Sequence, residues 1–218
     1  VQPSKIRCFH DEEYEIKGIR VDEDLTDCDI LFGVKEVPID MLIPNKTYFF
    51  FSHTFKKQPY NRELLRAILE KKIRLVDYEV LTAAGGKRLV GFGRYAGVVG
   101  AYNALLAYGK KTNRYSLQPA HACADRLEME GELSKISLPK NFRLALTGGG
   151  RVAGGAIEVL KAAGIQQVSP EDFLEEKYDD PVFTQLLVQD YVKRKNGSSF
   201  KNKEFYDAPE EFESNFMK

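Results

Sequence analysis

The residues best suited to acid–base chemistry follow three apolar runs in the first half of the chain. The runs at 30–33, 47–52 and 73–76 predict strands, and the apolar spacing at 61–71 predicts a helix. Strand–helix–strand alternation is typical of a parallel sheet, in which ligands bind beyond the carboxyl ends of the strands. We therefore expect the ionisable groups after these runs to converge on one sheet edge. They are Lys35, Glu36, His53, Lys56 and Glu79.

His53 is the candidate proton shuttle, because a neutral imidazole titrates near neutral pH. The sequence alone is equally consistent with a loop histidine that has no catalytic role. Lys35 and Glu36 form either a solvated pair on a loop or part of the same site. Their position after Gly33, on the predicted edge that also carries His53, favours the site.

A second motif lies in the other half of the chain, where an apolar run at 144–147 enters a glycine cluster and a helical pattern follows. Its spacing, G-x-G-x-x-A, matches the dinucleotide fingerprint with alanine in third place. The helix start offers free N–H groups and a positive dipole end, which suit a pyrophosphate. The alternative is an ordinary glycine-rich turn of an α/β protein. The predicted cofactor-binding residues are Gly148, Gly149, Gly150, Arg151, Val152 and Ala153.

The choice between NAD and NADP depends on the end of the next strand, predicted at 166–170. The fingerprint expects an acidic residue there, to hold the ribose hydroxyls. The chain offers Ser169 and, after a proline, Glu171, which we take as the candidates at this position. The cofactor is therefore predicted as NAD or NADP, with the choice open.

Composition narrows the function classes. The chain has 218 residues, 43% of them hydrophobic, and a formal net charge of +0. That balance gives no electrostatic reason to expect nucleic acid or an anionic membrane as partner, and no apolar run approaches the ~20 residues of a membrane span. Three cysteines without a C-x-x-C pair argue against zinc and against a disulfide scaffold, and they fit a reducing, cytoplasmic location. We expect a small-molecule substrate and no metal.

The two ends of the chain suggest a fragment of a longer protein. The first residue is not methionine, and only 70 residues (218 minus 148) follow Gly148. A complete dinucleotide domain needs about five or six strands. We expect the remainder of the parent chain to be required for activity.

Four segments resemble the superfamily of alanine dehydrogenase and saccharopine dehydrogenase. They are DILFGVKEVP at 29–38, LIPNKTYFFFSHT at 42–54, RLVDYE at 74–79 and GFGRYAG at 91–97. The likeness is greatest to saccharopine dehydrogenase of the lysine–ketoglutarate reductase type. It implies an α/β protein with two parallel-sheet domains, a flavodoxin-like catalytic domain and a partial Rossmann domain. We predict the first at 1–138, with a connecting helix at 95–109, and the second at 139–218.

The resemblance also implies roles for individual residues. Lys35 and His53 match the acid–base pair of the family, and Glu36 and Glu79 match the acidic neighbours that tune it. The implied reaction is NAD(P)-dependent oxidation or formation of a secondary amine between lysine and 2-oxoglutarate.

Two cationic residues, Lys56 and Arg88, match family positions near the substrate carboxylates. Two other functions stay open. One is a dehydrogenase for another amino acid, such as alanine. The other is a regulatory module that binds NAD(P) without catalysis.

Overall fold

A computed structural model describes residues 1–216, and the chain divides into two compact units. The first unit is Val1–Gly91 and the second begins at Phe92. The predicted functional division at residue 138 falls inside the second unit, and residues 217 and 218 of the predicted cofactor domain lie outside the described part. The two divisions differ because the connecting helix packs within the second unit, as described below.

The first unit is built on a three-stranded parallel sheet. Its strands are β1 (Ile30–Phe32), β2 (Thr47–Phe50) and β3 (Arg74–Asp77), in that spatial order. The helices are α1 (Asp11–Ile16) and α2 (Arg62–Glu70), and α2 connects β2 to β3. Short 3-10 turns lie at Ile39–Met41, Thr54–Lys56 and Pro59–Asn61. The predicted parallel α/β class is confirmed.

The core of the first unit joins α2 to β2. Leu64, Ala67 and Ile68 recur at helical spacing and are buried, so α2 presents one apolar stripe. That stripe belongs to the same apolar cluster as Tyr48 and Phe50 of β2. This packing holds α2 against β2, which pairs in parallel register with β3, and the ends of these two strands carry the candidate site.

The second unit contains a three-stranded parallel sheet and a two-stranded antiparallel one. The parallel strands are β4 (Arg143–Thr147), β5 (Gln166–Val168) and β6 (Val182–Leu186), and the antiparallel pair is β7 (Val192–Arg194) and β8 (Phe212–Ser214). The helices are α3 (Gly93–Thr112), α4 (Arg126–Glu132), α5 (Arg151–Ala162), α6 (Pro170–Glu175), α7 (Val188–Tyr191) and α8 (Asn202–Asp207). Further 3-10 turns lie at Ala120–Ala122, Leu133–Lys135 and Pro209–Glu211.

The spatial order of the parallel strands in the second unit is β4-β6-β5. In the usual dinucleotide-binding sheet the second strand along the chain lies beside the first. Here β6, the third, takes that place. Val182, Phe183 and Thr184 of β6 are fully buried, whereas Gln166 and Gln167 of β5 are exposed. The more apolar strand therefore occupies the centre of the sheet and the polar strand its edge.

Helix α3 packs against α5 through two glycines. A Cβ added to Gly97 would lie 1.8 Å from the carbonyl oxygen of Val152, and one added to Gly155 would lie 1.9 Å from that of Arg94. This close approach explains why α3, predicted at 95–109 as a connecting helix, belongs to the second unit. α3 has 20 residues, yet within residues 1–216 no helix is at once long and apolar enough to cross a membrane.

We expect Gly97→Ala to destabilise the second unit by roughly 2–3 kcal/mol, because the new methyl group overlaps a backbone oxygen that cannot turn away. Gly100→Ala is the matched control in the same helix, since its added Cβ meets no atom within 4 Å. That variant should gain about 0.5–1 kcal/mol from helix propensity. Denaturant unfolding followed by circular dichroism measures both. Equal stability of the two variants would contradict the packing described here.

Candidate active site

Loops that follow β2 and β3 bring the imidazole of His53 and two cationic side chains to the carboxylate of Glu79. Glu79 is only 7% exposed. Its Oε2 lies 2.8 Å from Nδ1 of His53, and its Oε1 lies 3.0 Å from Nζ of Lys56 and 3.6 Å from Nη2 of Arg88. The predicted convergence of His53, Lys56 and Glu79 at one sheet edge is thus seen in the structure, and Arg88 joins them.

The loop after β1 adds a second carboxylate on the other side of the imidazole. Oε1 of Glu36 lies 3.6 Å from Nε2 of His53, which is beyond hydrogen-bond distance. When the ring is neutral, donation from Nδ1 to Glu79 leaves the lone pair on Nε2. In this tautomer, assigned from the hydrogen bond, Nε2 is the atom that accepts a proton from a ligand.

Lys35 precedes Glu36 on the same loop, but its side chain is exposed. It takes part in none of the ion pairs found among residues 1–216. The structure therefore places Lys35 at the predicted edge without joining its ammonium group to the His53–Glu79 pair.

Two buried residues that the sequence analysis did not select hold the loops in place. The hydroxyl of Ser52 donates to Oδ2 of Asp77 at 2.5 Å, and Oδ1 of Asp77 accepts from the backbone N–H of Glu79 at 2.8 Å. The sequence did contain a signal for Asp77, because this aspartate directly follows the apolar run at 73–76 and lies two residues before Glu79. A buried carboxylate in that position needs donors from its neighbours.

The charge of Glu79 is stabilised by its partners. Burial by itself raises the pKa of this carboxyl, but hydrogen bonds from His53 and Lys56, together with their charges, outweigh burial and hold the pKa below its usual 4.5. Glu79 is therefore ionised at neutral pH and keeps a proton of His53 on Nδ1. A histidine oriented by a carboxylate in this way is suited to general acid–base catalysis.

The glycine motif forms the turn between β4 and α5, as predicted. Gly148 has φ +99, which favours glycine, and its carbonyl accepts from Nε2 of Gln185 at 2.8 Å. A Cβ added to Gly148 or Gly150 meets no atom within 4 Å, and no side chain of the described residues caps the first turn of α5. The turn is thus open and presents the free N–H groups of a helix start, which fits a phosphate group.

The strand order changes the position of Ser169 and Glu171 relative to this turn. Both follow β5, which β6 separates from β4. Oγ of Ser169 accepts from the N–H of Asp172 at 3.0 Å and caps α6, and Glu171 lies exposed in the first turn of that helix. The reasoning that selected them required β5 to lie beside β4, and the structure does not have that arrangement.

We expect Glu79→Gln to remove a pH-dependent part of the unfolding free energy. The folded-state pKa of Glu79 lies below the unfolded value, so its contribution is present above about 4.5 and is lost as pH falls through the folded pKa. The stability difference between wild type and variant should therefore be larger at neutral pH than in acid. Urea unfolding across this pH range measures it, with Glu63→Gln, an exposed helix carboxylate paired with Arg66, as the control. A difference that is constant with pH would refute the assignment.

Comparisons with known proteins identify the family. Residues 1–99 match the family model described as alanine dehydrogenase/PNT, N-terminal domain. The mitochondrial alpha-aminoadipic semialdehyde synthase of Mus musculus is 35% identical over 99% of this chain and 26% of its own length. The saccharopine dehydrogenase (NAD(+), L-lysine-forming) of Candida glabrata is 27% identical over 63% of this chain and 40% of its own length. The chain thus spans about a quarter of the mouse relative.

A solved structure shares the fold. An L-alanine dehydrogenase superposes with a TM-score of 0.52 at 14% identity, over 82% of this chain and 48% of that chain. At that identity the likeness concerns architecture alone. The match over residues 1–99 shows that this part of the chain is the N-terminal domain of the alanine dehydrogenase/PNT family, and the likeness to the mouse synthase extends over 99% of the chain.

Proposed function

We propose that this chain is part of an NAD(P)-dependent amino-acid oxidoreductase of the saccharopine dehydrogenase type. Its reaction is the oxidation or formation of a secondary amine between lysine and 2-oxoglutarate. The observation that carries the proposal is the imidazole of His53, held at Nδ1 by the buried carboxylate of Glu79 at 2.8 Å. The likeness to a synthase and to saccharopine dehydrogenases supports the substrate class.

Oxidation of an amine carbon requires a base for the amine proton and an acid–base group for the water that attacks the iminium carbon. Nε2 of His53 is the proton acceptor, because Nδ1 donates to Glu79. Glu79 stabilises the imidazolium that results, and Glu36 adds a second negative charge at 3.6 Å from Nε2. Lys35 is the second acid–base group implied by the family, and its exposed side chain is available to a ligand.

Cationic groups hold the carboxylates of the substrate in this proposal. Lys56 and Arg88 both face Oε1 of Glu79, at 3.0 and 3.6 Å. Both side chains are more than a third exposed. The guanidinium of Arg88 has five N–H donors, so it binds a substrate carboxylate while it remains beside Glu79.

The residues Gly148–Ala153 hold the pyrophosphate of the nicotinamide cofactor in this proposal. The open turn at Gly148 and Gly150 and the uncapped start of α5 fit that group. When bound, the cofactor supplies the hydride acceptor or donor. Assays with both cofactors decide between NAD and NADP. A cytoplasmic location is part of the proposal, and cell fractionation tests it, since the mouse relative is named as mitochondrial.

The full-length protein should be assayed with lysine, 2-oxoglutarate and either reduced cofactor, and in reverse with saccharopine. Formation of saccharopine supports the proposal. Turnover of alanine with pyruvate as product indicates the other amino-acid dehydrogenase instead. Cofactor binding without turnover of any amino acid indicates a regulatory module.

We expect His53→Gln and Lys35→Met to lower turnover by about 100- to 10000-fold each, the usual range for a lost acid–base group. If the two residues act as one unit, the double variant should lose little more than the slower single variant. The affinity for the cofactor should not change. The measurement is a pH–rate profile of all three variants. Near-normal turnover of His53→Gln would show that His53 is a loop histidine without a catalytic role.

We expect Gly150→Val to weaken binding of the cofactor at least tenfold with only a small loss of stability, since Gly150 is the N-cap of α5 and valine is less favourable there than glycine. The backbone of Gly150 is extended (φ −89, ψ −172), and its Cβ position is empty, so the free protein has room for the Cβ of valine, and the branched side chain fills the space of a phosphate. Gly131→Val in α4, where the Cβ position is also empty, is the control. Titrations with NADH and NADPH, paired with unfolding curves, separate the two effects. An unchanged titration for Gly150→Val would remove the turn from the cofactor site.

A further inference from the structure

We propose that Asp77 is the positioning residue of the His53–Glu79 pair. The proposal rests on the proposed function and goes beyond it, because neither the motifs nor the family match assigns a role to Asp77. The last residue of β3, Asp77 lies opposite Phe50 of β2 and is 7% exposed. Its carboxylate reaches the loop of each partner, the one after β2 and the one after β3.

The first contact controls the loop that carries His53. Ser52, which is fully buried, donates from Oγ to Oδ2 of Asp77 at 2.5 Å. The same Oγ accepts from the N–H of Thr54 at 3.1 Å and lies 2.7 Å from the hydroxyl of Thr54. Since the Ser52 proton goes to the carboxylate, the Thr54 hydroxyl is the donor of that second contact. Ser52 and Thr54, the two neighbours of His53 in the chain, are thus bonded to each other across it.

The two hydrogen bonds between Ser52 and Thr54 hold His53, which lies between them, in an unusual backbone conformation. The φ of His53 is +54 and its ψ is 7, in the left-handed region that residues other than glycine rarely adopt. Such a conformation persists where surrounding contacts fix it. It turns the imidazole towards Glu79, with Nδ1 at 2.8 Å from Oε2.

The second contact of Asp77 fixes the backbone of Glu79, the hydrogen-bond partner of His53. Oδ1 of Asp77 accepts from the backbone N–H of Glu79 at 2.8 Å. One carboxylate therefore fixes the backbone on both sides of the His53–Glu79 hydrogen bond and closes a ring of contacts around it. Among residues 1–216, no lysine, arginine or histidine forms an ion pair with Asp77. Its contacts are hydrogen bonds to neutral groups on the two loops, and through these contacts it positions the pair.

Replacement of Asp77 by asparagine tests the geometry at nearly constant volume. Asparagine keeps an acceptor for the N–H of Glu79 but presents N–H₂ to Ser52. Ser52 then accepts from the amide and from the N–H of Thr54, and it donates its own proton to the hydroxyl of Thr54, so the charge-assisted hydrogen bond at 2.5 Å becomes a neutral one. A neutral hydrogen bond is weaker, so the loop after β2 is held less firmly and the imidazole of His53 shifts away from Glu79.

We expect Asp77→Asn to lower kcat by roughly 10- to 100-fold, since displacement of a catalytic group by about 1 Å has that effect. The KM for the amino acid and the Kd of the cofactor should stay within about twofold. Ser52→Ala should behave alike, and the double variant should be little slower than either single one, because both changes act on the same hydrogen bond. If kcat and the pH–rate profile of Asp77→Asn and Ser52→Ala equal those of wild type, the proposal is wrong.

A spectroscopic readout separates this proposal from the proposed function. The His53 signals in ¹⁵N-histidine spectra of the full-length protein are those that are missing in His53→Gln, and the 218 residues of this chain contribute three histidines. In wild type we expect the Nδ1–H tautomer of His53 with a protected proton, and in Asp77→Asn a mixture of tautomers with fast proton exchange. If the tautomer of His53 changes in this way but the protein turns over no amino acid, the proposed reaction is wrong and the positioning role of Asp77 is supported. An unchanged His53 spectrum in Asp77→Asn and Ser52→Ala would reject the positioning role even in an active enzyme.

A further variant, Thr54→Val, and a folding check by circular dichroism keep the proposal testable if Asp77→Asn unfolds. Thr54→Val leaves the N–H of Thr54 in place and removes only the hydroxyl, so we expect a smaller loss of kcat than in Ser52→Ala. If Asp77→Asn does not fold, as judged by circular dichroism, Ser52→Ala and Thr54→Val carry the test. Equal kcat and equal His53 spectra in these two variants and wild type would overturn the proposal.

Discussion

The candidate site depends on the burial of one ionised carboxylate, that of Glu79. A buried charge is unfavourable unless charged or hydrogen-bonding partners replace water around it. Here His53 and Lys56 supply hydrogen bonds and charge that outweigh burial and hold the pKa of Glu79 below its usual value, and Arg88 lies 3.6 Å from the same carboxylate. The partners come from the loops after β2 and β3, so neutralising one charge also holds those loops together. The acid–base geometry and the local stability thus have a common origin.

Parallel pairing makes this convergence possible. β1, β2 and β3 run in the same direction, so their carboxyl ends lie along one edge and the loops that follow are neighbours. In an antiparallel sheet, alternate strands would place these loops at opposite edges. The burial of α2 against β2 keeps this order. Residues that are distant in sequence, such as His53 and Glu79, then lie within one hydrogen bond of each other.

Sequence reasoning predicted the elements with strong patterns and the charged residues at their ends. The three strands and α2 differ from their predicted bounds by one or two residues, and His53, Lys56 and Glu79 meet as predicted. It did not predict Ser52 and Asp77, because their role depends on a hydrogen bond between strands that no local pattern encodes. Nor did it predict the left-handed backbone of His53, which follows from those contacts. For Lys35 the position on the sheet edge was predictable from the sequence. The direction of its long, exposed side chain was not.

The second unit shows how composition overrides a motif rule. The dinucleotide fingerprint assumes that the strand after the glycine turn pairs with the strand before it. In this chain β5 carries two exposed glutamines, whereas the first three residues of β6 are fully buried, so β6 takes the central place. β6 also fixes the turn directly, because Gln185 donates to Gly148 and the side chain of Leu187 lies where a Cβ of Gly149 would project. A residue after β5 is then one strand away from the turn. The rule that infers the choice between NAD and NADP from the end of the second strand therefore does not apply to Ser169 in this sheet.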